Sequence, residues 1–301
     1  MNIKHSLYGL LCGTLMLTSC SSDEPTAPSA QTVEASFSLN IAGEVATRAG
    51  NGNSSLGGAD NLGAEKLNYI LALYEVADNN RLILSDFCQV SDRDGDGERF
   101  SPMVTLGKTY MMVALAHFGD KRNIADADKA EYLKAMPIEN IINSEAEDFY
   151  VATKTARFTA DNLQHALTLK RPYAKLRIVA TDWNQSAIQS VTVDYAANTL
   201  FSQFNVLTNQ FSIESEIKKI TASQYNTSDA DTAKTIVADY FPVNADTYLS
   251  TFKVTVTFND NDNTSFSRTF NDIPLQRNAL TTLSGTFFSS PSQMKYDVTN
   301  D

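Results

Sequence analysis

The chain has 301 residues, 43% of them apolar, and carries 24 Lys and Arg against 35 Asp and Glu, for a net charge of −11. An acidic chain of this kind repels nucleic acid and anionic lipid head groups, which excludes a nucleic-acid partner. Its length exceeds one usual hydrophobic core and predicts two domains.

In chain order, residues 1–19 read as a signal peptide. Lys4 and His5 precede an apolar run from Leu7 to Leu17 that is too short for a stable bilayer span. Leu17-Thr18-Ser19-Cys20 resembles a bacterial lipobox, which makes Cys20 the lipidated first residue of the mature chain and its link to the outer membrane. The alternative is an ordinary signal peptide with an incidental cysteine. Removing residues 1–19, which carry Lys4 and no acid, brings the net charge to −12. Residues 20–32, polar and Pro/Ser-containing, form a tether. Asp23 and Glu24 within it are similar to the surface-export signal of Bacteroidales lipoproteins. Cys12 leaves with the signal peptide and Cys20 takes lipid, so Cys88 is left alone and no disulfide is expected. Its apolar setting, LILSDFCQV, predicts a buried and inert thiol.

The dominant period is two. In Val33 to Ile41, the side chains of Val33, Ala35, Phe37, Leu39 and Ile41 share one face, opposite Glu34, Ser36, Ser38 and Asn40. FKVTVTF repeats this with Phe252, Val254, Val256 and Phe258, and VTVDY with Val191, Val193 and Tyr195. LNYILALYEV, RLILSDFCQV, TYMMVALAHF, AKLRIVATD and TTLSGTFF are further β-rich runs, set apart by Asn-, Asp- and Gly-rich turns. DADKAEYLKAM and PIENIINSEAEDF predict short helices, and SIESEIKKI is ambiguous. The fold class is mostly β: two antiparallel β-sandwiches, at 33–165 and 166–301, with a few short helices.

Residues 42–66 hold six glycines and one basic residue before Lys66, Arg48. The segment predicts an exposed linker, in which Arg48-Ala49 is the one site for a trypsin-like protease between Cys20 and Lys66. In SDRDGDGERF, Asp92, Asp94 and Asp96 take positions one, three and five of an EF-hand-like loop and Gly97 takes position six. Met103 stands at position twelve, where a bidentate Glu is required. The stretch therefore predicts a hairpin turn between strands, with a cation loop as the weaker reading and no metal expected.

Several stretches in fixed order resemble the fimbrillin family, lipoprotein precursors of Bacteroidales pilus subunits. LTLKRPYAKLRI (Leu167 to Ile178) is similar to that family's entry into its second domain. SQFNVLT (Ser202 to Thr208) is similar to a recurrent aromatic-Asn strand. IPLQRNALTTLSGTFF (Ile273 to Phe288) is similar to its closing pair of strands, and GKTYMMVALAHFGD fits its first domain. The resemblance implies two transthyretin-like sandwiches, no catalysis and no cofactor. It implies a lipidated precursor at the outer membrane, cut by an arginine-specific protease after Arg48. The strand 33–41 then leaves, and a strand from another pilus subunit fills its groove. Host or bacterial surface ligands are implied for the assembled fimbria. The C-terminal segment after GTFF offers only Met294, Tyr296 and Val298 in alternation, which is short for a donor strand.

Catalytic motifs are not found. His117 and His165 lie in unrelated contexts, and no nucleophile elbow or phosphate-cradling loop is present. Two readings remain: a fimbrial subunit matured at Arg48, or an uncleaved outer-membrane surface lipoprotein that serves as an anchor or binds a glycan or other ligand.

Overall fold

A computed structural model describes residues 30–42, 67–93, 97–118, 128–138, 149–182, 188–195, 199–216, 220–222, 234–244, 247–258, 262, 264–289 and 294–300. The period-two runs form its strands. The first half carries β1 (Thr32–Glu34), β2 (Ser36–Ile41), β3 (Leu67–Val76), β4 (Leu82–Arg93), β5 (Glu98–Phe100), β6 (Met103–Thr105), β7 (Thr109–Phe118), helix α1 (Lys129–Lys134), β8 (Met136–Pro137), β9 (Phe149–Arg157) and β10 (Gln164–Leu169). The second half carries β11 (Tyr173–Ala180), β12 (Ile188–Tyr195), β13 (Thr199–Asn205), β14 (Gln210–Glu216), β15 (Ile220–Ala222), β16 (Lys234–Pro242), β17 (Thr247–Phe258), β18 (Ser265–Gln276), β19 (Ala279–Gly285) and β20 (Lys295–Asn300).

These strands make two sandwiches. In the first, the sheet β4-β3-β7-β9 faces β10-β2-β5 and the β1-β6 pair. Alternate residues of each meet in one core, including Tyr69, Leu71, Met112 and Ala114 from one side and Ala35, Phe37, Leu39 and Leu167 from the other. In the second, β16-β11-β19-β20 faces β15-β12-β17-β18. Val191, Val193, Tyr195, Phe252, Val254, Val256 and Phe258 all point into that core, as their alternation predicts. Most ladders are antiparallel, but β2 runs parallel to β10 and β11 parallel to β19.

A third core joins the two sandwiches. Sheet β4-β3-β7-β9 is apolar on its outer face too, through Ile70, Ala72, Tyr74, Val113, Leu115 and Phe149. These pack against Leu133 of α1, the β13-β14 hairpin (Phe204, Phe211), Tyr173 and Tyr240. Arg277, in the β18-β19 turn, ties the junction together. Its Nε donates to the Val243 carbonyl (2.7 Å), and its two terminal nitrogens donate to Oδ1 (2.9 Å) and the carbonyl (3.0 Å) of Asn209. The neighbouring Asn278 accepts from the Arg171 N–H through Oδ1 (2.9 Å). The residues that resemble the fimbrillin second-domain entry and closing strands thus meet at one place.

The structure refines several expectations. The boundary at 165/166 falls inside β10, which stays paired with β2 as far as Leu169↔Ile41; the chain changes sheets only after it. SIESEIKKI is not helical where described. β14 runs through Glu216 and pairs with β13, because Phe211 packs against Phe201, Phe204 and Tyr173, and that burial overrides local propensity. Within PIENIINSEAEDF, Pro137 closes a strand that pairs with β13 and Phe149 opens β9, while residues 139–148 lie outside the described residues. SDRDGDGERF does not close a hairpin: β4 pairs with β3 and β5 pairs with β2, so the stretch crosses between the two sheets. The short β5 is claimed by β2. DADKAEYLKAM does contain the helix, with Leu133 buried. Cys88 is half-buried rather than buried; burial first and then Asp86 push its thiol up.

The second core holds an acid. Asp239 is 1% exposed and accepts a 2.7 Å hydrogen bond from the Tyr195 hydroxyl, while its Oδ1 has no partner. Burial pushes its carboxyl from 3.8 up to about 6, against the opposing Tyr195 bond. A folded value above the unfolded one means that the contribution to stability is complete below pH 3.8 and is lost as pH rises through about 6. Asp239→Asn removes this titration. In thermal denaturation, the wild type should lose stability between pH 5 and pH 7.5 relative to Asp239→Asn, by about 1 kcal/mol. Parallel pH profiles would contradict the assignment.

Candidate functional site

The main part of the first strand, β2, lies inside its sheet and not along an edge. β1 pairs antiparallel with β6 (Val33↔Val104), and β2 pairs antiparallel with β5 (Phe37↔Phe100) on the same side. On the other side β2 pairs parallel with β10, from Gln164↔Ser36 to Leu169↔Ile41. Between β1 and β2, the Ala35 N–H donates to the Pro102 carbonyl (3.0 Å), and the Ser36 N–H donates to the Leu163 carbonyl (2.7 Å). Beyond β2, the Ala42 N–H donates to the Leu169 carbonyl (2.8 Å). From Ala35 to Ala42 the segment therefore bonds to neighbours on both sides, whereas β1 pairs with β6 alone.

The alternation of the sequence becomes a buried face. Ala35, Phe37 and Leu39 have no exposed surface, and Val33 and Ile41 are half-buried at the two ends of the same core. Burying Phe37 and Leu39 stabilises by roughly 1.5–3 kcal/mol each before ordering costs. The Phe37 ring packs 5.6 Å from the ring of His165 (28° between planes) and 6.1 Å from that of Phe158. Phe158 also meets His165 edge-on at 4.8 Å. His165 reads as an ordinary strand or loop residue in isolation. The signal that places it is the alternation His165, Leu167, Leu169 in QHALTL, which turns its ring inward.

The close approach of β5 to β2 explains Gly97. Its φ is +93°, and a Cβ there would overlap the Leu39 carbonyl oxygen. The glycine of the aspartate-rich stretch thus serves the first strand. Asp92 lies in β4, whereas Asp94 and Asp96 lie outside the described residues, and no cluster of metal-ligating side chains occurs among those described. Cys20, Arg48 and Ala49 also lie outside the described residues. On the solvent face of β10-β2-β5 is an open depression of about 520 Å³ lined by Ser36, Ser38, Arg99, Gln164, His165 and Ala166.

At the other end of the chain, β20 lies antiparallel to β19 at a sheet edge, with Tyr296 56% exposed. The turn before it is held by Asp182, whose carboxylate accepts from the N–H groups of Phe287 (2.7 Å), Phe288 and Ser289 (2.8 Å each) and from the Ser289 hydroxyl (2.8 Å). Burial alone would push this carboxyl up, but the donated bonds outweigh it and hold the group below the ordinary carboxylate value.

Residues 25–301 match the model of a family of unknown function, DUF6562. The chain belongs to that family. No curated protein matches it. Among solved structures, a candidate cell adhesion protein from Bacteroides uniformis superposes with a TM-score of 0.51 at 10% identity, covering 89% of this chain and 97% of that one. The tip fimbrial protein Mfa3 from Porphyromonas gingivalis, with C-terminal truncation, superposes with a TM-score of 0.51 at 10% identity, covering 89% of this chain and all of that one. The DUF6562 chain thus has the β-sandwich fold of Bacteroidales fimbrial and adhesion proteins, as the fimbrillin resemblance implies.

Because Phe37 fills space between two rings, Phe37→Ala should destabilise the DUF6562 chain by about 3–5 kcal/mol. Ser36→Ala, on the exposed face, should stay within about 0.5 kcal/mol of wild type. Urea denaturation of both variants checks this; equal midpoints would contradict the packing.

Proposed function

We propose that this DUF6562 chain is a structural subunit of a bacterial surface fimbria that supports adhesion and performs no catalysis. It is exported as an outer-membrane lipoprotein through Cys20, cut after Arg48 by an arginine-specific protease, and assembled by exchange of the strand 33–41. The observation that carries this reading is the two-sided placement of the first strand. Withdrawing it opens a slot with unpaired backbone on both walls and an apolar floor, a template for strand addition. Another subunit's strand would recover both hydrogen-bond rows and the buried face. Arg48 suits this role because it is the one basic residue between the first strand and Lys66.

The depression on the solvent face favours a second reading, an uncleaved surface lipoprotein that acts as an anchor or binds a glycan or other ligand. Ser36 and Ser38 of the first strand help to line it, so it exists only while that strand is in place.

Digesting the purified precursor with an arginine-specific protease separates the two. The fimbrial reading expects loss of the peptide ending at Arg48, followed by ladders that resist mild detergent. A clipped protein that stays monomeric at high concentration, or one that keeps its first strand, overturns it.

A further inference from the structure

The slot is not uniformly apolar, and its walls specify what it accepts. Ala35 has no exposed surface, so its position has room for a methyl group and little more. Two residues on, Phe37 rests on the rings of His165 and Phe158, and two further on Leu39 is again fully enclosed. Pairing with β10 is parallel and with β5 antiparallel, which fixes the direction in which this order is read. His165 is 5% exposed and its Nε2 has no hydrogen-bond partner. Protonating the ring would place a charge and an unmatched N–H in the aromatic contact. Lys154 on β9 acts on the ring, and Arg99 on β5 lines the depression it borders. Both are cations, and Lys154 opposes a positive charge on the ring. β2 turns no ionisable side chain inward.

We propose that the pocket formed by Phe158 and His165 determines which strand the slot accepts: an extended segment that runs parallel to β10, presents a small residue, then an aromatic, then an aliphatic residue at alternate positions, and enters with the imidazole neutral. This rests on the strand-exchange reading and adds the chemistry of the partner to it. Burial first, and Lys154 second, push His165 below its ordinary value, against a backbone bond at Asn162. A depressed folded value means that retention of the strand is complete above the ordinary 6.5 and weakens as pH falls through the lower folded value.

The test uses the full chain cut after Arg48 and a labelled peptide of residues 30–42. Loss of the resident strand is first confirmed by mass. At pH 7.5, a Phe37→Ala peptide should bind at least about 100-fold more weakly than the native sequence. An Ala35→Leu peptide should bind at least about 5-fold more weakly, and a Ser36→Ala peptide within about 2-fold. Moving to pH 5 should weaken the native peptide on wild-type protein and leave its affinity for His165→Phe protein unchanged. Equal binding of the Phe37→Ala peptide, or the same acid weakening in His165→Phe, overturns the pocket. The peptide arm uses wild-type protein and does not depend on the variant folding. If the mass shows that the strand stays after cleavage, strand exchange has failed, and the pocket is read on the resident strand by amide hydrogen exchange across 32–41. Faster exchange at pH 5 than at pH 7.5, after correction for intrinsic rates and absent in His165→Phe, supports it; the same pH effect in both proteins overturns it.

Discussion

Two rows of backbone hydrogen bonds hold one short segment between neighbours that come from distant parts of the chain. β10 lies over a hundred residues away, and β5 and β6 reach the segment across the sandwich from β4. Buried backbone groups must be paired, so a sheet that loses an interior strand cannot remain as it was. It must collapse, recover the same strand or accept another. Gly97 shows how closely the sheet is fitted around its first member, since even a methyl group there would meet the Leu39 carbonyl. An edge strand would impose no such choice, because its departure leaves one open edge that water and charged side chains can serve.

What lies beneath the slot is braced from the other side. The sheet β4-β3-β7-β9 supplies the slot's floor with one face and the junction core with the other. Tyr173, Phe204, Phe211 and Tyr240, all from the second half of the chain, cover that outer face, and Arg277 ties the turns around them. A floor packed on both faces keeps its shape when one layer is withdrawn, which an isolated sandwich of the same size would not. The second sandwich thus contributes to the first by bracing the outer face of that floor.

Much of this was legible in the sequence, and its gaps have physical causes. A strand with one buried face declares itself by alternation, so 33–41, 191–195 and 252–258 read correctly, and so did the inward set from Val33 to Ile41. LNYILALYEV read as a strand, but its near-continuous burial reflects two cores that alternation cannot distinguish. SIESEIKKI carries a mixed local pattern, and only the distant rings around Phe211 decide it. The aspartate-rich stretch looked like a hairpin because Asp and Gly mark turns without saying which strands they join. Parallel pairing of β2 with β10 leaves no local mark, since a parallel partner is never joined by a tight turn. His165 was overlooked for a related reason: its importance comes from Phe37, which meets it only in that ladder.

The account turns on whether the first strand is a removable occupant of its slot. The most direct measurement is the N-terminal residue of this chain in assemblies taken from the surface of the cells that make it. A chain beginning at Ala49, with 20–48 gone, is the predicted result. A chain beginning at lipidated Cys20 within those same assemblies would contradict it.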